Sequence, residues 1–114
     1  MMEKIKEELR RLGYEEISER DYERLVNTNK YNSFDIESIL YREKLNKYQK
    51  IIVDEFRKVE EIVERLGGLV MRNSKVIVLV PFLEKLEIIL FIKIVVLEER
   101  AMYIFMKRFT FPLS

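Results

Sequence analysis

Leu86-Glu87-Ile88-Ile89-Leu90-Phe91-Ile92-Lys93-Ile94-Val95-Val96-Leu97 is the stretch on which the fold turns. Periodicity alone leaves a helix over Leu83 to Glu98 as its rival, because apolar runs of this kind are ambiguous. The density of branched side chains at Ile88, Ile89, Ile92, Ile94, Val95 and Val96 favours a strand, since these residues pack well on a pleated surface and crowd a helical turn. The wider run from Val76 to Leu97 has the length of a membrane span but contains Pro81, Glu84, Lys85, Glu87 and Lys93. Charges near the centre of a span are expensive, so a transmembrane reading is rejected and no membrane partner is expected.

As a strand, the run is apolar on both faces. Leu86, Ile88, Leu90, Ile92, Ile94 and Val96 line one face; Glu87, Ile89, Phe91, Lys93, Val95 and Leu97 line the other, where four of six are also apolar. An antiparallel sheet covered on one side alternates apolar with polar. Large uncovered apolar patches are rare on monomers, so something must cover the second face. The N-terminal helix, the long helix described below, or a second copy of the chain could do so. Closed two-fold pairing is the commonest assembly of identical chains. A homodimer is therefore expected, with Ile89, Phe91, Val95 and Leu97, together with Tyr103 and Phe105 of the following strand, as the candidate self-association residues.

Working outward, Ala101 to Phe111 reads as a further strand, joined to the decisive one around Glu98-Glu99-Arg100. Leu69 to Arg72 and Lys75 to Val80 flank Asn73-Ser74, which predicts a tight hairpin. Residues 68–114 are thus expected to form a four-stranded antiparallel β-meander. Residues 1–67 are expected to form a helical layer, and no Pro-, Ser- or Gly-rich linker separates the two, so 1–114 is read as one α+β domain.

The helical half has clear punctuation. Met2 to Leu12 carries Ile5, Leu9 and Leu12 on one stripe and ends at Gly13. Ser18-Glu19-Arg20-Asp21 is a capping signal, with Ile17 placed to pack on Tyr22; that helix is expected to fray near Val26 into a polar loop, Asn27 to Asn32. A long amphipathic helix, capped at Asn32 or Ser33, is expected to reach Leu66, with a break near Asn46 as an option, and to stop at Gly67-Gly68. Its apolar positions Leu45, Tyr48, Ile52, Val59, Ile62 and Leu66 are widened by Ile51, Phe56 and Val63, with a gap at Glu55.

Composition then excludes whole classes of function. The 114 residues contain no Cys, no His and no Trp. Disulfides, Cys- or His-ligated metals and Ser-His-Asp or Cys-His nucleophiles are therefore absent. Lys and Arg number 21 against 20 acidic residues, a net charge of +1. Such a balance gives no global attraction to nucleic acid. Abundant Glu and Lys with a single Gln, Gln49, fit a thermophilic microbe or its virus. The N-terminus has no signal-peptide core, so a cytoplasmic location is expected.

Two constellations remain. Glu60 and Glu64 share a helical face and could take Mg²⁺ with waters, but Arg57, Lys58 and Arg65 lace the same helix into an ordinary solvated surface. Lys30, Tyr31, Arg42, Lys44, Lys47 and Lys50 interleave cations with rings, the mixture that serves phosphate contact and base stacking. Arg100, Lys107 and Arg108 form a second basic group. No Gly-rich phosphate loop occurs, and Ser18 to Leu40 makes a poor helix-turn-helix. The first reading is a non-catalytic interaction, assembly or regulatory protein without a cofactor. A nucleic-acid-binding protein using residues 30–50 is the alternative, and a Mg²⁺-dependent hydrolase the weaker one.

Overall fold

The computed structural model describes residues 1–42 and 44–113. Glu43, inside the expected basic stretch and long helix, and Ser114, the end of the expected domain, lie outside the described residues. The architecture is α+β: four helices pack against a six-stranded antiparallel sheet that does not close on itself.

Helix α1 spans Met2–Arg11, with Met2, Ile5 and Leu9 buried. It ends in a Schellman turn: Gly13 N–H donates to Arg10 O at 3.0 Å and Tyr14 N–H to Leu9 O at 2.9 Å, with Gly13 at φ +93°. Strand β1, Glu15–Ile17, follows. Helix α2 is Glu19–Thr28, capped by Ser18 Oγ, which accepts from Asp21 N–H at 3.1 Å. Ile17 and Tyr22 share one apolar cluster across that cap, as the sequence spacing implied.

The expected single helix from residue 33 to 66 is corrected. Ser33–Asp35 is strand β2, Ile36–Leu40 is a short helix α3, and Lys47–Arg65 is helix α4. Asn46 Oδ1 accepts from Tyr48 and Gln49 N–H at 3.1 and 2.9 Å, so the optional break at Asn46 is a true helix start. An Asn side chain competes better at a cap than inside a helix. The Gly67-Gly68 stop is a second Schellman turn, with Gly68 N–H on Val63 O at 2.9 Å.

The four-stranded meander is also corrected. Strand β3 is only Leu69–Val70, β4 is Lys75–Leu79, β5 is Lys85–Val96 and β6 is Ala101–Pro112. The sheet order is β1-β6-β5-β4-β2, with β3 also on β5. Asn73-Ser74 turns no hairpin. Strands β3 and β4 run collinearly along one edge of β5, at Leu69↔Val95 and then at Lys75↔Phe91 to Leu79↔Glu87. Ser74 stitches the interruption between them. Its buried hydroxyl donates to Met71 O at 2.7 Å and accepts from Lys93 N–H at 3.1 Å, while its carbonyl accepts from Ile36 N–H at 2.8 Å.

The decisive run is a strand, not a helix, and the sheet carries helices on both faces. Leu86, Ile88, Leu90, Ile92, Ile94 and Val96 pack with α1, α3 and α4. Ile89 and Phe91 lie on the other face with Ile77, Ile104 and Met106, covered by α2. Tyr22 of α2 meets Phe91 edge-on, ring centroids 5.3 Å apart at 84°. The second face is thus covered largely from within the chain, by α2 rather than by the N-terminal helix or α4.

Candidate functional site

The register decides which predicted residues meet. Because Ile94 pairs with Tyr103 and Ile92 with Phe105, even-numbered residues of β5 share a face with odd-numbered residues of β6. Ile89 and Phe91 therefore lie on the α2 face, whereas Tyr103 and Phe105 lie on the opposite one. Ile89, Phe91 and Phe105 are buried, Tyr103 is half-buried with its hydroxyl on Glu99 at 3.0 Å, and Leu97 is 72% exposed. Val95, half-buried, forms a lateral row with Leu69 and Met102 beyond the reach of α2. The six do not make one patch.

The outer edge of β6 is a feature that sequence reasoning missed. Strand β1 pairs only with Ile104, Phe105 and Met106. Among the described residues no strand pairs with the stretch from Arg108 to Pro112 on that side. Phe109 and Phe111 project from this stretch to one face with their rings parallel within 2°, centroids 6.4 Å apart. Tyr48 packs on Phe111 at 4.9 Å, and its hydroxyl donates to Pro112 O at 3.3 Å. At the same end of the sheet the β4–β5 connection presents Phe82 and Leu83, 91% and 84% exposed, both in the left-handed backbone region at φ 59° and 58°, and Phe82 lines a hollow with Thr110.

The basic and aromatic residues resolve into a groove with outlying charges. A groove of about 340 Å³ separates the Asn32–Phe34 segment from the first turn of α4. Val78, Leu86 and Ile88 form its apolar floor, and Phe34 and Tyr48 supply rings on either wall. The Arg42 guanidinium stands 5.8 Å from the Phe34 ring centroid, and Lys47 Nζ stands 5.1 Å from that of Tyr48. Lys30 and Tyr31 lie on the 3₁₀ turn that leads into the groove, with Lys30 Nζ 5.0 Å from its neighbour's ring. Lys44 and Lys50 are exposed, and neither stands over a groove ring among the described residues. The second basic group is dispersed by pairing: Lys107 donates to Glu55 at 3.1 Å and Arg108 to Glu87 at 2.6 Å.

Among the described residues no three carboxylates gather to hold a metal ion; Glu64 is exposed, and Glu60 is half-buried in a hollow lined also by Arg57 and Arg72. The most perturbed ionisable groups are tyrosines. Burial, then the Glu55 charge, holds Tyr14 far above the ordinary range, and burial pushes Tyr22 up to about 12. Tyr14 is tied to Glu55, and Tyr22 packs beneath α2 on Phe91, so both serve packing.

The chain matches no family model, and neither a curated protein nor a solved structure is significantly similar to it. No helix among the described residues is long and apolar enough to cross a membrane.

Proposed function

We propose that this chain is a non-catalytic assembly protein that pairs with a second copy of itself along the open edge of β6. The observation that carries the reading is the stretch Arg108 to Pro112, with Thr110 at its midpoint, which among the described residues pairs with β5 on one side and with no strand on the other. An open edge offers unpaired N–H and C=O groups to another strand and invites such pairing unless it is blunted. A two-fold axis through Thr110 sets Thr110 against its own copy and Phe109 against Phe111 of the second chain. Cross-strand aromatic pairs of this kind contribute about 0.2–1 kcal/mol each. The register is self-complementary, as an isologous interface requires. It would also join two six-stranded sheets into one.

Sedimentation of the whole chain tests the reading. The expected result is a dimeric mass that Thr110→Lys converts to a monomer, because the substitution sets two ammonium groups directly opposite one another at the axis. Thermal unfolding of the variant controls for the fold, Thr110 being an exposed position. A strictly monomeric wild type, or a dimer indifferent to Thr110→Lys, overturns the proposal.

A further inference from the structure

We infer that the groove between β2 and the first turn of α4 is a binding site for one nucleotide of a single-stranded nucleic acid. The inference is independent of pairing along β6.

An apolar floor with a ring on each wall, Phe34 and Tyr48, suits the faces of a planar base. Around those rings the lining turns polar through Asn32, Asn46 and Gln49. Asn32 and Gln49 carry amides that both donate and accept and so match the mixed edge of a base, whereas the Asn46 oxygen is engaged in capping α4. Gln49 is half-buried, and its side-chain amide has no protein hydrogen-bond partner among the described residues. An apolar peptide segment would fill the floor and leave these amides facing nothing.

Residues 30–50 carry six basic side chains and three acidic ones in a chain whose net charge is only +1. Two of the cations, Arg42 and Lys47, stand over the wall rings themselves. The acid next to Phe34 does not oppose them, since Asp35 alternates to the α2 face and is held by Lys75 Nζ at 2.6 Å. Glu37 is exposed on α3. A polyanion with planar substituents therefore finds cations and rings at one place, the combination by which single strands are held without sequence readout.

At about 340 Å³ the groove is at the small end of ligand sites, roughly 300–1,000 Å³, and so admits one base with its sugar and excludes a stacked duplex.

The test uses the full chain and a short fluorescent oligothymidylate, read by anisotropy over a salt series. Wild type is expected to bind at low salt with an affinity that falls as salt rises. Phe34→Leu and, separately, Gln49→Ala are expected to weaken binding about tenfold without changing the salt slope. Arg42→Gln with Lys47→Gln is expected to lower the slope by about 1.4, roughly 0.7 for each phosphate of a single strand left without its cation. Lys58→Gln, on an exposed part of α4 outside the groove, is expected to bind as wild type does. Absence of binding at low salt overturns the inference. So does equal competition by a duplex or by polyglutamate, a weakening on Lys58→Gln that matches the groove variants, or indifference to both Phe34→Leu and Gln49→Ala.

Discussion

Lys107 Nζ donates to Glu55 Oε1 at 3.1 Å, tying β6 to α4 across 52 positions of sequence. Tyr14 Oη donates to the same oxygen, also at 3.1 Å, so the exit of α1 joins the pair. Glu55 is the gap in the apolar stripe of α4, and these two donors are its physical reason. The pair is only 24% and 16% exposed, and a half-buried carboxylate is costly without partners. Lys107→Met is therefore expected to destabilise by about 1–3 kcal/mol in denaturant unfolding. Added to Glu55→Leu, it should cost distinctly less than it does alone, since no buried charge is then left unpaired. Strict additivity in that double-mutant cycle would show that Lys107 and Glu55 are not coupled.

Alkaline pH should loosen the fold through two tyrosines. Burial raises Tyr22 to about 12 and holds Tyr14 higher, the latter helped by Glu55. An unfolded tyrosine ionises near 10. Below about pH 10 both states are neutral and the contribution is fully present; above it the unfolded chain has released protons that the native one retains. Stability is thus expected to fall as pH rises from about 10 toward 12. Denaturant midpoints across this range, with absorbance at long ultraviolet wavelength following phenolate formation, measure it. Tyr22→Phe should flatten the slope, and an unchanged slope would remove Tyr22 as a cause.

Much of this architecture was legible because local signals and tertiary demand agreed. The β-branched density of Ile88 to Val96, the Ile17-Ser18-Asp21-Tyr22 cap and the glycine stops at Gly13 and Gly67 each act within one element. The misreadings are all of the other kind. Leu69 pairs with Val95 rather than folding back at Asn73-Ser74, and nothing near Leu69 encodes so distant a partner. Strands β1 and β2 are three residues each, too short for a period of two to register. The surplus grease on β5 correctly demanded a second layer, but α2 meets it with Tyr22, Leu25 and Val26, a sparse stripe beside charged neighbours. The groove draws on Asn32, Phe34, Tyr48, Gln49, Val78 and Leu86, residues of several elements that no linear motif unites. The open edge of β6 follows from how far β1 reaches, which only pairing reveals.

Close packing at the end of α4 gives a sharper test of the core. A Cβ on Gly68 would sit 2.8 Å from Val63 Cγ1 and 3.1 Å from Ile5 Cδ1, both on fully buried side chains. Gly68→Ala is expected to cost about 1–3 kcal/mol by overpacking. Its cost should shrink on a Val63→Ala background, where the obstructing methyls are gone. Gly67→Ala has a different origin of strain, φ +89°, and should cost as much with Val63→Ala as without it. Chemical unfolding of the single and double variants separates the two; an equal cost of Gly68→Ala on both backgrounds would refute the steric account.

Phe82 and Leu83 present the converse case, in which the chain holds strain at the surface. Both adopt left-handed backbone, and both are more than four-fifths exposed, so little packing offsets the conformation. A left-handed conformation costs an L-residue roughly 1–2 kcal/mol, and glycine avoids it. Glycine also gives the unfolded chain more freedom, which returns about 0.4–1 kcal/mol of that gain. The variant Phe82→Gly with Leu83→Gly is therefore expected to melt slightly higher, by roughly 1 kcal/mol at the midpoint. Strained apolar residues kept exposed point to use rather than packing. The same variant should consequently pair more weakly in sedimentation, since Phe82 lines one hollow with Thr110, the residue at the proposed two-fold axis. A variant both more stable and equally dimeric would assign the tip to the turn between β4 and β5 alone.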